Sequence, residues 1–363
     1  MRALSFLVIL LSTLSACMKD DVLWEFDRLN TDRPGGVFIV NEGNFTYGNG
    51  SLSFYDMETG EVLNDIFYNT NALPLGDVPL SMTIRDSLGY VVVNNSGRIY
   101  VINTSTFRYV GKITGLTSPR YLHFVNESKA YVTDLYARSI AIFNPLTMEV
   151  TGAIDVSNPK GGVHQHSTEQ MVQYGKYVYT NCWSFDNQVL VIDSEIDEVI
   201  DSIEVLKQPN SMVLDRFHNL WVLTDGGFEG SPYGYEPPGL MKIEAGSEEA
   251  TLVYRFENGE LPRELHINAT GDTLWFLNRH LYRVPLESGT DPVPELLIES
   301  PYSPGYNGGY YGLEVDPSSS ELYISDAVDY VQRGMVYRFA PDGFPLDTLR
   351  VGISPAAFCF KPE

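Results

Sequence analysis

His164-Gln165-His166 is the shortest spacing in the chain with evident chemistry, because two imidazoles one residue apart can chelate a metal ion when a third ligand converges on them. No residue at a fixed spacing supplies that ligand, and two loop histidines serve equally well as a hydrogen-bonding pair, so no metal is assigned. A second set comprises Asp134, Asn181, Asp225, Asn278 and Asp326, each ending a short apolar run. Drawn into a ring they could hold a cation. Taken singly, Asp and Asn are favoured at such places because they make turns. Hydrolytic chemistry of the lactonase kind needs carboxylates and amides converging on one central ion, and no diagnostic set of that kind stands out. The third set is aromatic: Phe45, Tyr136, Trp183, Phe185, Phe228, Tyr235, Tyr306, Tyr310, Tyr311 and Tyr330, with Arg138, Arg279 and Arg333 nearby in the chain. Rings offer large apolar area with few rotors and suit the capture of a flat or ring-shaped molecule. The residues therefore point to binding rather than catalysis, and the candidate binding set is these rings and arginines together with His164 and His166.

Such residues need a scaffold, and the chain repeats one. One unit reads Pro79 to Ile84, Gly89 to Val93, Arg98 to Ile102 and Val110 to Ile113: four short β-rich pieces separated by turn residues. Units of the same kind start at Pro119, Glu169, Pro209, Pro262 and Tyr311. Two fragments remain. Val37 to Val40, Leu52 to Tyr55 and Val62 to Phe67 match the second, third and fourth strands of a unit, and Pro355 to Phe360 matches a first strand without followers. Pairing the two ends completes a seventh unit and closes a ring. The expected fold is all-β: a seven-bladed β-propeller of four-stranded antiparallel blades, closed by the C-terminal strand on the N-terminal blade. A solenoid would show capping repeats instead of complementary halves.

Alternating strand direction sorts the connections onto two faces. First-to-second and third-to-fourth turns share one face, which carries acidic turns and only Phe107, Tyr174, Phe217 and Phe344 as aromatics. Second-to-third loops and blade-to-blade connections share the other. That face holds the candidate rings plus Tyr47, Tyr233 and Tyr302, and also the glycine-rich insertions 226–239, 160–166 and 303–312. Function concentrates where loops vary on a fixed scaffold. The plainer alternative is that these loops fold over one another and plug the channel.

The N-terminus carries a separate signal. Arg2 precedes an apolar run from Leu4 to Leu14, the length of a signal-peptide core and too short to span a bilayer. Leu14-Ser15-Ala16-Cys17 follows, then the acid-rich tetrad Met18-Lys19-Asp20-Asp21. The expected organisation is a signal peptide at 1–16, a tether at 17–34 and the propeller at 35–363. The formal charge of −23 argues against nucleic acid and against anionic lipid headgroups as partners. Beyond Cys17, Cys182 and Cys359 fall in different blades and are read as unpaired thiols, Cys359 as a buried one. Nothing indicates an oligomer.

Three resemblances follow. The Leu-Ser-Ala-Cys segment resembles the bacterial lipobox, which implies a diacylated Cys17, and the tetrad resembles the surface-export signal of Bacteroidetes lipoproteins. The third-strand endings Val101-Ile102-Asn103 and Val191-Ile192-Asp193 are similar to those of YncE-type surface propellers. Together with Val178-Tyr-Thr-Asn-Cys-Trp-Ser-Phe185 and Asn187 to Asp193, the chain resembles the BtuG-like cobalamin-binding surface lipoproteins of Bacteroidetes. That resemblance implies a lipid-anchored outer-membrane protein that binds a corrinoid as cargo, needs no cofactor, and passes its ligand to a TonB-dependent transporter. A corrin is broad and amide-rimmed, which suits aromatics beside Asn, Gln and Arg groups. Imidazole is a common ligand for such metals, so His164 or His166 is the residue to approach the cobalt. The alternatives from other classes are a glycan-binding surface lipoprotein and a protein-interaction scaffold.

Overall fold

Runs such as Val37-Phe38-Ile39-Val40 and Tyr90-Val91-Val92-Val93 are apolar at every position, not at alternate ones, and every one of these side chains is buried. A strand reads this way when both of its faces are covered. A computed structural model, which describes residues 35–159, 163–286, 292–302 and 309–361, shows what covers them. Cys17, the tetrad after it, the signal segment and Tyr306 lie outside the described residues. The strands form seven four-stranded antiparallel sheets, and each sheet packs against the next through its own apolar cluster. The core is thus seven sandwiched layers arranged round a ring. No helix among the described residues is long and apolar enough to cross a membrane.

Blade 1 comprises Pro79–Arg85, Leu88–Val93, Arg98–Asn103 and Tyr109–Thr114. Blades 2 to 6 begin with Pro119–Asn126, Thr168–Tyr174, Pro209–Leu214, Arg263–Ile267 and Tyr310–Val315 as their innermost strands. Blade 7 is shared between the chain ends. Pro355–Lys361 lies innermost and pairs with Gly36–Asn41, in register Val37↔Phe360, Phe38↔Cys359 and Ile39↔Phe358. Neighbouring innermost strands touch all the way round, and Pro355–Lys361 contacts both Tyr310–Val315 and Pro79–Arg85, so the ring is closed. Closure leaves no long unpaired central edge for another chain to extend.

Polar bonds between neighbouring blades reinforce the apolar layers. Ser81 Oγ donates to the Arg120 carbonyl at 2.7 Å, Asn210 Nδ2 to the Pro262 carbonyl at 2.7 Å, and Ser325 Oγ to the Pro355 carbonyl at 2.6 Å. The sheets approach so closely at Gly312 that a Cβ there would lie 2.2 Å from the Ala356 carbonyl oxygen. Four of the third strands end in Asp or Asn (Asp56, Asn103, Asn144 and Asp193), and that residue has a local task. Asn103 Oδ1 accepts the Ser105 and Thr106 N–H groups, and Asp56 Oδ1 those of Glu58 and Thr59, which closes the turn to the fourth strand.

Two expectations need correction. Val62 to Phe67 is not a continuous fourth strand: Val62–Leu63 pairs, and Ile66–Asn71 is a short helix. Asp65, at φ 56°, turns the chain so that Ile66 and Phe67 enter the core between blades 7 and 1 rather than alternating along an edge. Phe107 likewise leaves its turn for that core, with ring centroids 5.8 Å from Phe38 and 5.2 Å from Phe54.

Candidate functional site

The second-strand ends do stand round one face, but their polar atoms are taken up by the protein itself, except Asn181 Oδ1, which is buried without a hydrogen-bond partner among the described residues. Asp134 accepts the Tyr136 and Ala137 N–H groups with one oxygen and those of Thr117 and Ser118 with the other. Asn181 Nδ2 donates to the Pro209 carbonyl at 2.6 Å. Asn278 bridges the Leu261 N–H and Glu260, and Asp326 takes the Val328 N–H and the hydroxyls of Tyr302 and Tyr337. Asp225 accepts from Gly227 N–H and Gln208 with one oxygen and from Trp183 Nε1 at 2.8 Å with the other, while burial pushes its carboxyl pKa up. These residues fold the loops and clamp neighbouring blades. Between them they present no open ring of carboxylates to a cation.

The histidine pair divides. His164 is exposed. His166 Nδ1 lies 2.6 Å from Asp186 Oδ2, and Cys182 Sγ completes a group whose ligand atoms lie within 4.8 Å of one another. The fold thus brings two other ligand types to His166, but the group leaves out His164 and does not complete the histidine pair. The thiol, however, faces the apolar layer between blades 2 and 3. Burial raises its pKa well above the ordinary value, with Asp186 and Glu169 adding to the rise, and this favours a neutral thiol over a metal-binding thiolate. The His166–Asp186 pair reads as the bond that ties a blade connection to a loop.

Most of the candidate rings do populate the loop face. Phe45, Tyr136, Phe185 and Phe228 are exposed, as is Tyr47. Phe185 packs against Tyr233 with centroids 4.6 Å apart, and Tyr311 meets Tyr330 edge-on at 5.6 Å. Phe185 and Tyr330 are held at φ 62°, a backbone region costly for bulky side chains, so the loops over-determine where these rings point. Tyr235 is half-buried in the 225–238 loop. Gly226 pins that loop at φ 75°, where a Cβ would strike the Glu236 carbonyl oxygen at 2.0 Å. Arg138 is exposed, Arg279 donates to the Tyr302 carbonyl at 2.7 Å, and Arg333 pairs with Asp65 at 2.8 Å. Tyr310 departs from the set. It is 7% exposed and packs in the layer between blades 5 and 6, because its strand begins there and adjacent side chains point to opposite sides. Its neighbour Tyr311 takes the channel side.

Trp183 and Tyr311 stand at the mouth of a cavity of about 400 Å³ that runs into the centre of the ring. Its walls carry charge that the aromatic reading passed over, on Glu42, Arg120, Arg263, Glu264, His266 and Glu314, with Tyr121 and Gln170 as neutral polar groups. Arg120 Nε bonds both oxygens of the buried Glu169 at 2.9 and 2.8 Å. Burial alone would lower the guanidinium's pKa, but Glu169 raises it further, while burial pushes the Glu169 carboxyl up. Tyr311 donates to Glu42 at 2.5 Å, and burial raises the Glu42 carboxyl pKa. His266 Nδ1 lies 2.7 Å from Glu314; burial opposes its charge, yet Glu314 and Glu264 hold its pKa up to about 10. A larger concavity of about 920 Å³ lies on the outer rim, between the fourth strands of blades 2 and 3. It is a groove between exposed edges whose Lys129 is already paired with Asp197 at 2.8 Å, and no aromatic ring lines it. The central cavity is the better candidate because rings and convergent polar groups meet there.

A signal for the channel residues was present in the sequence. Leu80, Arg120, Asn210, Arg263 and Ala356 each follow the proline at the start of an inner strand, and three of the five are polar or charged where a wall strand should be apolar.

A family model described as a domain of unknown function (DUF5074) matches residues 35–340. No curated protein matches the chain in sequence. Among solved structures, a periplasmic gluconolactonase of Pseudomonas aeruginosa is similar at a TM-score of 0.65 and 14% identity, over 90% of this chain and 99% of that one. A quinonprotein alcohol dehydrogenase-like protein of Bacteroides thetaiotaomicron gives 0.64 and 16%, over 90% and 78%. A functionally unknown protein of Desulfotomaculum acetoxidans gives 0.63 and 14%, over 90% and 99%. At these identities the likeness is one of fold, and it agrees with the propeller.

Proposed function

The chain belongs to the DUF5074 family, and from the geometry of its loop face we propose that it is a ligand-capturing propeller, not an enzyme, whose aromatic channel mouth takes a corrinoid. One observation carries this reading. Exposed rings gather on the face where Trp183 and Tyr311 open onto a charged cavity, whereas on the opposite face the exposed loop rings among the described residues are Tyr174, Phe217 and Phe344. Rings clustered on one exposed face beside a cavity are the arrangement that commonly marks a binding site. A corrin would lie across the mouth on Trp183, Phe185 and Tyr311, with its amide rim near Arg279 and Arg138. His164, exposed and outside the His166–Asp186 pair, is the imidazole free to approach the cobalt.

The rest of the proposal concerns place and partner. Lipidation at Cys17 would hold the propeller at the outer-membrane surface, from which it would deliver its cargo to a TonB-dependent transporter. Radiolabelled palmitate should enter the wild-type protein in cells and not a Cys17→Ala variant; equal labelling of both would reject the anchor.

Calorimetric titration of the purified protein with cyanocobalamin, and separately with a panel of oligosaccharides, tests the ligand. Saturable heat with cyanocobalamin supports the corrinoid. Heat with an oligosaccharide and none with cyanocobalamin would make the face a glycan site. If the rings are anchors, Trp183→Ala or Tyr311→Ala should weaken binding by about 1–3 kcal/mol.

A further inference from the structure

Below the aromatic mouth the channel is not a uniform acidic well. Four carboxylates reach it or stand behind its wall, and three of them are engaged: Glu169 by Arg120 Nε, Glu314 by His266 Nδ1, and Glu42 by the Tyr311 hydroxyl. Glu264 accepts no hydrogen bond among the described residues and is held only by an ion pair with His266. It sits at φ 58°, and its carboxylate is 3.7 Å from His266 Nε2, beyond hydrogen-bond reach.

The donors on the same walls are less completely engaged. His266 Nε2 is buried and has no hydrogen-bond partner among the described residues. The Glu264 carboxylate offsets the charge of this N–H but does not hydrogen-bond it, so an acceptor that reached Nε2 would supply a bond it lacks. Arg120 uses Nε for Glu169 and no other nitrogen of its guanidinium, and Arg263 donates only Nη2, to the Tyr310 carbonyl at 2.5 Å, while lying over the Tyr311 ring at 5.8 Å. The cavity lining therefore offers N–H donors without hydrogen-bond partners on Arg263, Arg120 and His266, and one acceptor, Glu264, that is ion-paired with His266 but accepts no hydrogen bond among the described residues.

We infer that the channel below the mouth binds a primary carboxamide, either of a small molecule or of an arm of the captured ligand, its oxygen accepting from His266 Nε2 and Arg263 and its N–H₂ donating to Glu264. A carboxylate would match the donors but meet Glu264 as a like charge. An ammonium would match Glu264 but meet His266 and the two arginines. A carboxamide supplies an acceptor and a donor without charge on two separate atoms, so it reaches the donors and Glu264 at once, whereas a hydroxyl puts both roles on a single oxygen. The inference rests on the loop face being a ligand entrance, and not on the ligand being a corrinoid.

Succinamide, succinate and tetramethylammonium, titrated into the purified protein by calorimetry and saturation-transfer NMR, test it. Succinamide should bind, with succinate and tetramethylammonium each weaker by roughly tenfold or more. Arg263→Met should weaken succinamide by about tenfold, and Glu264→Gln should narrow the gap between succinamide and succinate. His266→Gln should also weaken it; because that change disturbs the buried pair with Glu314, Arg263→Met is the variant that decides. No succinamide binding, a preference for succinate or tetramethylammonium, or unchanged affinity in Arg263→Met would overturn the assignment. Cyanocobalamin titration is a separate measurement, so failure of the corrinoid reading and failure of this one are distinguishable.

Discussion

Replacing Arg120 by Met should destabilise the propeller by about 3–5 kcal/mol, the usual cost of leaving a buried charge without its partner. The magnitude follows from the setting of Glu169. Its side chain is 4% exposed, it holds Arg120 Nε through both oxygens at 2.9 and 2.8 Å, and no other hydrogen-bonded partner stands beside it. At an effective dielectric of about 20, two charges roughly 3 Å apart attract by about 5 kcal/mol, and all of that is lost. Met keeps most of the apolar stem, so the change isolates the charge. The second substitution, Glu169→Met, should restore stability to within about 1–2 kcal/mol of wild type, because two apolar residues of similar volume replace a desolvated pair. Guanidinium unfolding followed by intrinsic fluorescence gives the midpoints of wild type, single and double variants. Acidification adds an internal check. Burial already raises the Glu169 carboxyl, and without Arg120 it rises further. A raised carboxyl loses stability as pH climbs through its folded pKa, so the deficit of the single variant should shrink from pH 7 to pH 5. A cost below about 1 kcal/mol, or a double variant no better than the single, would refute the claim that this pair is a desolvated ring clamp.

His266 gives a pH signature of the opposite kind. Its folded pKa of about 10 stands above the 6.5 of an unfolded histidine, so its contribution is complete below pH 6.5 and is lost as pH rises toward 10. Urea midpoints should fall across that window in wild type and stay flatter in His266→Gln. Phe358→Ala removes a 6%-exposed ring from the layer between blades 6 and 7, where it meets Tyr323 at 6.0 Å, and should cost about 3–5 kcal/mol by chemical unfolding. A near-neutral result would mean that the closing strand is not integral to the ring. Cys182 is buried, whereas Cys359 is half-buried rather than fully buried as expected; desolvation lifts the thiol of Cys182 well above its usual range and that of Cys359 to about 12. Both should resist a disulfide reagent at about pH 8 in the native protein and react in guanidinium; fast native labelling of either would contradict their placement.

What the sequence disclosed and what it withheld have a common cause. Second and third strands lie between two neighbouring blades, so Val37 to Val40 and Tyr90 to Val93 are apolar throughout, and their spacing declares the blades. The split blade was legible for the same reason, since Pro355 to Phe360 lacks followers and Val37 lacks a predecessor. Innermost strands are different, because one side of each faces the channel and a bulge near the top shifts the phase. The register slips between Pro79 and Ser81, between Pro209 and Ser211, and between Arg263 and His266. Alternation alone therefore does not say that Arg263 and His266 face the cavity while Leu265 faces the core. One residue of phase likewise separates Tyr310, buried, from Tyr311, at the mouth. The outer strands carry the weakest pattern, being mostly exposed, and Val62 to Phe67 was misread for that reason: Asp65 adopts a left-handed turn that no period announces. The Asp and Asn residues at second-strand ends were visible as a set, but only their hydrogen bonds show that they are clamps.

The central claim is that the aromatic mouth of the channel is where a ligand sits. An experimental structure of the protein with cyanocobalamin tests it most directly. The account predicts the corrin ring across the loop face, in contact with Trp183, Phe185 and Tyr311, with an amide arm directed down the channel toward Arg263. A corrin on the opposite face, or a loop face left bare at saturating cyanocobalamin, would contradict it.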